Sequence, residues 1–324
     1  MTRMATDMTQ THQSPRNGNQ DASLWQSLLG DGAPNWDRDG TAWPNRAASR
    51  FVEAGGIRFH VQIMGTGPVV LLLHGTGAAT HSWRDLAPLL AAHFTVVAPD
   101  LPGHGFTEAP IWPRMSLPAM AGALAALLDA LDLAPSLVIG HSAGAAIGIE
   151  MCRTGRIAPV GLISLNGALL PMRGVVTHMF SPIAKLFAMN PLVPRLFAWR
   201  AKDPAVVRRL LAGTGSTIDA AGQAHYATLV RSSGHAAAAL TMMANWDLDP
   251  IEAALPNFTP RLLLVTGAND RSIPPREAER IARMVPGAQL VSMPHLGHLA
   301  HEEAPGDTAA IIDDFARSIG LLAT

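Results

Sequence analysis

Cysteine is almost absent. Cys152 stands alone in 324 residues, which excludes an intramolecular disulfide framework and any zinc centre built from thiolates. Its place in an apolar small-residue stretch reads as a buried structural thiol. Charge is scarce as well. Asp, Glu, Lys and Arg make up 15% of the chain and nearly cancel, to a net charge of -1, so no bulk attraction to nucleic acid or anionic lipid is expected. No apolar run approaches the roughly 20 residues of a spanning helix. Met1–Gly30 is polar, without the apolar core of a secretory signal. There is no G-x-x-x-x-G-K-[ST] loop to cradle nucleotide phosphates. No two histidines stand at i, i+4, so no metal site is expected, and no cofactor. These absences predict a soluble, cytoplasmic chain with a disordered tail over 1–22, and they leave peripheral membrane contact open.

What is present is apolar and ordered. Hydrophobic residues make up 48% of the chain. Residues 23–50 carry Trp36 and Trp43 in a polar setting and read as a strap anchored on the domain surface. Phe51–Met64 holds two short strand patterns around Gly55-Gly56, a hairpin signal. From Pro68 onward, apolar strand runs alternate with helical ones. Strands are expected at Pro68–Leu73, Phe94–Ala98, Leu137–Ile139, Val160–Leu165, Arg261–Thr266 and Gln289–Met293. Helical patterns stand at His81–Ala91, Ser116–Leu131, after Ser142, at Pro275–Met284 and at Glu302–Ile319. That alternation marks an α/β fold with a mostly parallel sheet covered on both faces. The rhythm breaks at 170–246, which lacks buried-strand runs and is rich in Met and aromatic residues and in arginine. It is expected to be a helical insertion, a cap, between two parts of one core, 51–169 and 247–324.

The chemistry centres on Gly140-His141-Ser142-Ala143-Gly144, which follows an apolar strand and opens a small-residue helix. A serine on such a turn projects its hydroxyl above the sheet, beside the positive end of a helix. The glycines at 140 and 144 relieve crowding. An acyl-transfer serine needs a base, and the base needs a carboxylate to hold its tautomer. Asp270 follows the strand Arg261–Thr266 and is the expected acid. Asn166, after the strand ending at Leu165, occupies the other place for an acid and cannot carry the charge. His298, after the last strand, is the expected base, ahead of its neighbours His295 and His301, because the preceding Gly297 permits a tight approach of the loop to the serine turn. The oxyanion donors are expected to be the backbone N–H groups of Ala143 and of Thr76 in His74-Gly75-Thr76-Gly77. His141 and His104 are expected to be structural.

These motifs, with Asp100 and Gly103-His104-Gly105, resemble the α/β-hydrolase superfamily over roughly residues 50–320. Trp36–Gly40, Trp43–Arg46, Ser49–Gly56 and His74–Leu86 further resemble the BchO family, the magnesium-chelatase accessory proteins of bacteriochlorophyll biosynthesis. The resemblance implies work near magnesium insertion into a porphyrin in a photosynthetic bacterium, with magnesium-chelatase subunits as partners. Two functions follow. One is a serine hydrolase acting on an ester of a large apolar molecule such as a tetrapyrrole, with carbon–carbon bond hydrolysis on the same residues left open. The other is a porphyrin- or chelatase-binding accessory that keeps the hydrolase scaffold without its chemistry. A serine in place of an aspartate nucleophile argues against dehalogenase and epoxide-hydrolase chemistry.

Overall fold

Strands whose side chains are apolar at consecutive positions can only lie where helices cover both faces. Five of the strands meet that description in the computed structural model, which describes residues 32–110, 115–171, 190 and 192–323. The expected tail over 1–22, the start of the strap, and 172–189 and 191 of the insertion lie outside the described residues.

The strands are β1 Ser49–Ala54, β2 Ile57–Met64, β3 Val69–Leu73, β4 Thr95–Pro99, β5 Leu137–His141, β6 Gly161–Leu165, β7 Arg261–Gly267 and β8 Gln289–Met293. They form one sheet in the order β1-β2-β4-β3-β5-β6-β7-β8. The β1–β2 hairpin turns at Gly55 and Gly56, both at positive φ, and its second strand meets β4 antiparallel. All other pairings are parallel.

The register explains the apolar runs. Leu71, Leu73, Val138, Leu162, Leu262 and Leu264 point into one apolar cluster, with the helices Leu117–Leu131, Ala143–Arg153 and Pro275–Met284. Val70, Leu72, Leu137, Ile139, Ile163, Leu263 and Val265 point into the other, with Leu86–Leu90 and Pro305–Ser318. Each side chain so buried contributes roughly 1.5–3 kcal/mol.

Two helical patterns resolve differently from their sequence reading. His81–Ala91 splits into a 3₁₀ turn, Thr80–Trp83, and the helix Leu86–Leu90. The run expected at Glu302–Ile319 is two helices, Ala300–Glu303 and Pro305–Ser318. Pro305 cannot donate to the preceding turn and forces Ala304 out of helical geometry, to φ -135 and ψ 67. Between β6 and β7 the described residues form the helices Leu192–Arg200, Pro204–Gly213, Ala220–Val230, Ser233–Ala244 and Asp249–Ala254. Among the described residues no helix is long and apolar enough to cross a membrane.

The strand order places the site. After β3 the chain crosses to β4 on one side and returns to β5 on the other. The crevice outside the carboxyl ends of β3 and β5 is therefore a topological switch point, where open α/β sheets bind ligands. The loop His74–Gly77 leaves β3 there, and Ser142 leaves β5.

Candidate active site

Ser142 joins β5 to the helix Ala143–Arg153 with φ 52 and ψ -118. A non-glycine residue in such geometry is strained by about 1–3 kcal/mol and persists only where its surroundings hold it. They do so on every side. The Ser142 N–H donates to Leu165 O at 3.0 Å, and its carbonyl accepts from Ala145 N at 3.2 Å and Ala168 N at 3.1 Å. A Cβ on Gly144 would lie 2.0 Å from Leu73 O, and one on Gly140 2.4 Å from the Ala145 backbone. Only glycine lets β3 and the helix approach that closely. Ser142 itself stays partly exposed amid buried neighbours.

The expected acid and the expected base meet. His298 Nδ1 lies 2.8 Å from Asp270 Oδ2. The same oxygen accepts from Asn166 Nδ2 at 2.7 Å, and Oδ1 accepts from the N–H groups of Ser272 at 2.7 Å and Ile273 at 2.9 Å. With Nδ1–H donated to the carboxylate, Nε2 of His298 keeps a lone pair for a proton. No hydrogen bond joins the Ser142 hydroxyl to His298 in this structure. Such bonds often tighten only when substrate is bound.

Two further residues bond to this pair, His141 to His298 and Asn166 to Asp270, and the sequence reading named neither contact. His141, next to Ser142, places Nε2 2.9 Å from His298 O, and the two rings stand 4.7 Å apart. Burial, and then the neighbouring His301 and His298 rings, push His141 well below its ordinary value, so it donates as a neutral ring. Asn166 was expected only to be unable to serve as the acid. It instead positions the acid. Parallel pairing of Leu165 with Val265 puts the residues after β6 and β7 side by side, a neighbourhood that strand order shows and residue type alone does not.

Gly297 corrects an expectation about cause. Its lack of a side chain suggested close approach to the serine turn. The contact is with the insertion instead, where a Cβ would lie 2.3 Å from the Gly215 backbone. His298 N donates to Thr214 O at 3.2 Å and Leu299 N to Ser216 Oγ at 2.8 Å, so the loop of the base leans on residues 214–216.

The loop after β3 lies beside the serine. A Cβ on Gly75 would stand 3.0 Å from Ser142 Cβ. Thr76 follows, its Oγ1 3.6 Å from Met242 Sδ on the helix Ser233–Ala244. The same helix reaches the loop through His235, whose Nε2 donates to Gly77 O at 3.1 Å while Nδ1 accepts from Gly105 N at 3.1 Å. Ala143 opens the helix after the serine, where N–H groups have no acceptor within the helix. Of the two expected oxyanion donors, Ala143 adjoins Ser142 in the chain and Thr76 adjoins Gly75.

Asp100 organises the surrounding loops. It accepts from Thr80 N at 2.7 Å and Phe106 N at 2.9 Å and faces His60 Nδ1 at 2.7 Å. Burial opposes its ionisation, but the His60 ring outweighs it and holds the carboxyl well below the usual carboxylate range. The strap closes over this hub. Trp43 is buried, donates to Thr80 Oγ1 at 2.9 Å, and packs edge-on against Phe106 and against His225 of the insertion. His104 lies buried with Nδ1 3.1 Å from Pro102 O, a structural place. Burial pushes the Cys152 thiol up to about 12, which suits an inert thiol. Among the described residues no group of three or more His, Cys, Asp or Glu could hold a metal ion.

Comparison with known proteins agrees with this fold. A family profile described as "Alpha/beta hydrolase family" matches residues 70–311. The magnesium-chelatase 30 kDa subunit of Rhodobacter capsulatus is 38% identical over 275 residues, 84% of this chain and 96% of that protein. The 2-hydroxy-6-oxo-6-phenylhexa-2,4-dienoate hydrolase of Burkholderia cepacia is 26% identical over 76% of this chain and 86% of its own length. An α/β hydrolase fold protein from Burkholderia ambifaria superposes with a TM-score of 0.69 at 25% identity, over 82% of this chain and 97% of that one. The chain belongs to the alpha/beta hydrolase family and is a relative of the magnesium-chelatase 30 kDa subunit.

Proposed function

We propose that this chain is a serine hydrolase that cleaves an ester of a large apolar molecule, a tetrapyrrole being the favoured class, in the service of magnesium insertion for bacteriochlorophyll. The observation that carries the reading is the His298–Asp270 pair, joined at 2.8 Å on strand ends beside a serine held at φ 52. The similarity to a magnesium-chelatase subunit supports the substrate class and makes chelatase subunits the favoured partners.

In this reading His298 Nε2 takes the proton of Ser142 Oγ as the oxygen attacks the ester carbon. The Asp270 carboxylate, fixed by Asn166, Ser272 and Ile273, stabilises the imidazolium. Charge developing on the carbonyl oxygen faces the N–H groups of Ala143 and Thr76, where each donor of such a site is worth roughly 3–4 kcal/mol. Collapse expels the alcohol, which takes the proton from Nε2 and leaves an acyl group on Ser142. A water then gives its proton to Nε2, attacks the acyl carbon, and releases the acid and the serine. The described helices of the insertion, from Leu192 to Ala244, act as a cap over this site, and the described part of the strap, with Trp43 against Phe106 and His225, joins cap to core.

The test is turnover of p-nitrophenyl esters of graded acyl length. Turnover lost in Ser142→Ala supports the reading, and turnover equal in the variant contradicts it. A second reading, a binding accessory that does no chemistry, is favoured by the 38% identity to a chelatase subunit. Complementation separates the two. If a gene-deletion strain regains normal bacteriochlorophyll with the Ser142→Ala chain, binding is the function.

A further inference from the structure

The net charge of -1 hides a local excess. Between Arg200 and Ile218 stand four cations, Arg200, Lys202, Arg208 and Arg209, all exposed, against one acid, Asp203. That acid is engaged in capping the helix Pro204–Gly213, where it accepts from Ala205 N at 2.9 Å.

An apolar stripe runs through the same region. On the helix Leu192–Arg200, Pro194 and Ala198 face inward and are buried. The outward positions carry Leu192, Leu196 and Trp199, which are 65%, 58% and 63% exposed. They stand at i, i+4 and i+7, so they form one line along the helix. Large apolar side chains so exposed, and in line, mark an interaction surface.

We propose that this stripe and its basic surround are a docking surface for an anionic lipid bilayer. Charge complementarity selects the occupant. Among the described residues of the helix Leu192–Arg200, apart from the cations and the Trp199 indole N–H, no exposed side chain can hydrogen-bond to fix the register of a protein partner. A plane of anionic headgroups needs none, and tryptophan and arginine suit its interface. The helix packs on Ser233–Ala244, whose Met242 and His235 touch the loop beside Ser142. Docking would therefore bring the Ser142 end of the molecule toward the bilayer, where a large apolar substrate partitions. The proposal rests on the surface and not on the reaction, so it stands or falls separately from the proposed chemistry.

The experiment is cosedimentation of the full chain with vesicles of phosphatidylcholine, with and without phosphatidylglycerol. The expected result is binding to the anionic vesicles, weakening as salt rises, and much weaker binding to the neutral ones. The double variant Leu196→Glu, Trp199→Glu is expected to lose roughly tenfold or more in vesicle affinity. Arg208→Gln, Arg209→Gln is expected to lose about tenfold. All four side chains are exposed, so the unfolding midpoint is expected to hold, and the arginine pair carries the test if the glutamates disturb folding. No binding by the wild type, equal binding to neutral vesicles, or wild-type binding by the folded variants would overturn the proposal. So would light scattering showing a wild-type dimer that Leu196→Glu, Trp199→Glu converts to a monomer, because the stripe would then be covered by a second copy.

Discussion

The floor of the site and the helices above it are built on opposite principles. On the floor, β3, β5, β6 and β7 are buried almost throughout, and the serine, acid and base hang from strand ends fixed by the sheet ladder. Every oxygen of Asp270 has a donor. The helices from Leu192 to Ala244 leave leucines and a tryptophan in solvent. They meet the core through small apolar clusters, such as Val207, Leu211, Ile218 and Tyr226 with Ala78 and Leu299, and through polar links: His235 to Gly77, Tyr226 to Glu302, Arg84 to Asp219, and Thr217 to Glu303. Close packing leaves little freedom to change, whereas a few links leave much. In the proposed function, generic chemistry belongs to the floor and recognition to the helices. The difference also predicts that substitutions of the two regions will differ in size.

The largest effect should come from the acid. Asp270→Asn would leave the geometry and remove the charge that holds the His298 tautomer, and kcat for a soluble ester is expected to fall about 10⁴-fold with the unfolding midpoint little moved. Next is the packing beneath the serine. Gly144→Ala must displace Leu73 O from 2.0 Å, and urea unfolding is expected to show a loss of about 3 kcal/mol or more.

The seam between the regions offers a pH test. Burial raises Glu302 from 4.5 to about 7, although Ser82 Oγ and the Tyr226 hydroxyl each stand 2.6 Å from Oε1 and oppose the shift. A carboxyl raised on folding contributes stability below its unfolded value of 4.5 and loses it as pH rises through about 7. The buried histidines act the other way. His104, His235 and His301 are pushed down to about 3, so their contribution is present above 6.5 and lost on acidification. Comparing wild type with Glu302→Gln cancels the histidines. The variant is expected to gain about 2 kcal/mol relative to wild type between pH 5 and pH 8, measured by denaturant unfolding.

Smaller effects sharpen the contrast further. Asn166→Ala removes one of the donors to Asp270 and should lower kcat about tenfold, with KM for a small ester unchanged. A KM rise instead would move Asn166 from positioning the acid to binding substrate. Leu210→Ala, on the exposed side of the helix Pro204–Gly213, should shift stability by no more than about 0.5 kcal/mol.

The same contrast governs what could be read in the chain. The strands and the residues at their ends were legible because two-faced burial writes apolar runs and tight turns demand glycine. Ser142 and Asp270 follow such runs, β5 and β7, whereas His298 follows β8, which is largely exposed. What escaped was contact between distant segments. Nothing local in His141, Asn166 or His235 tells of the groups they bond, since each partner arrives through strand order or through the docking of a helix. Gly297 shows the limit well. The need for glycine was legible, but its cause, the backbone at 215 and 216, was not. The break at Pro305 was written in the sequence and overridden in reading by the apolar spacing around it.

The most direct test of the account is whether Ser142 is a nucleophile. The native protein, treated with a fluorophosphonate probe and mapped by peptide mass spectrometry, is predicted to carry one adduct, on Ser142, and to lose it in His298→Ala while remaining folded. An adduct on another residue, or none on the folded wild-type protein, would contradict it.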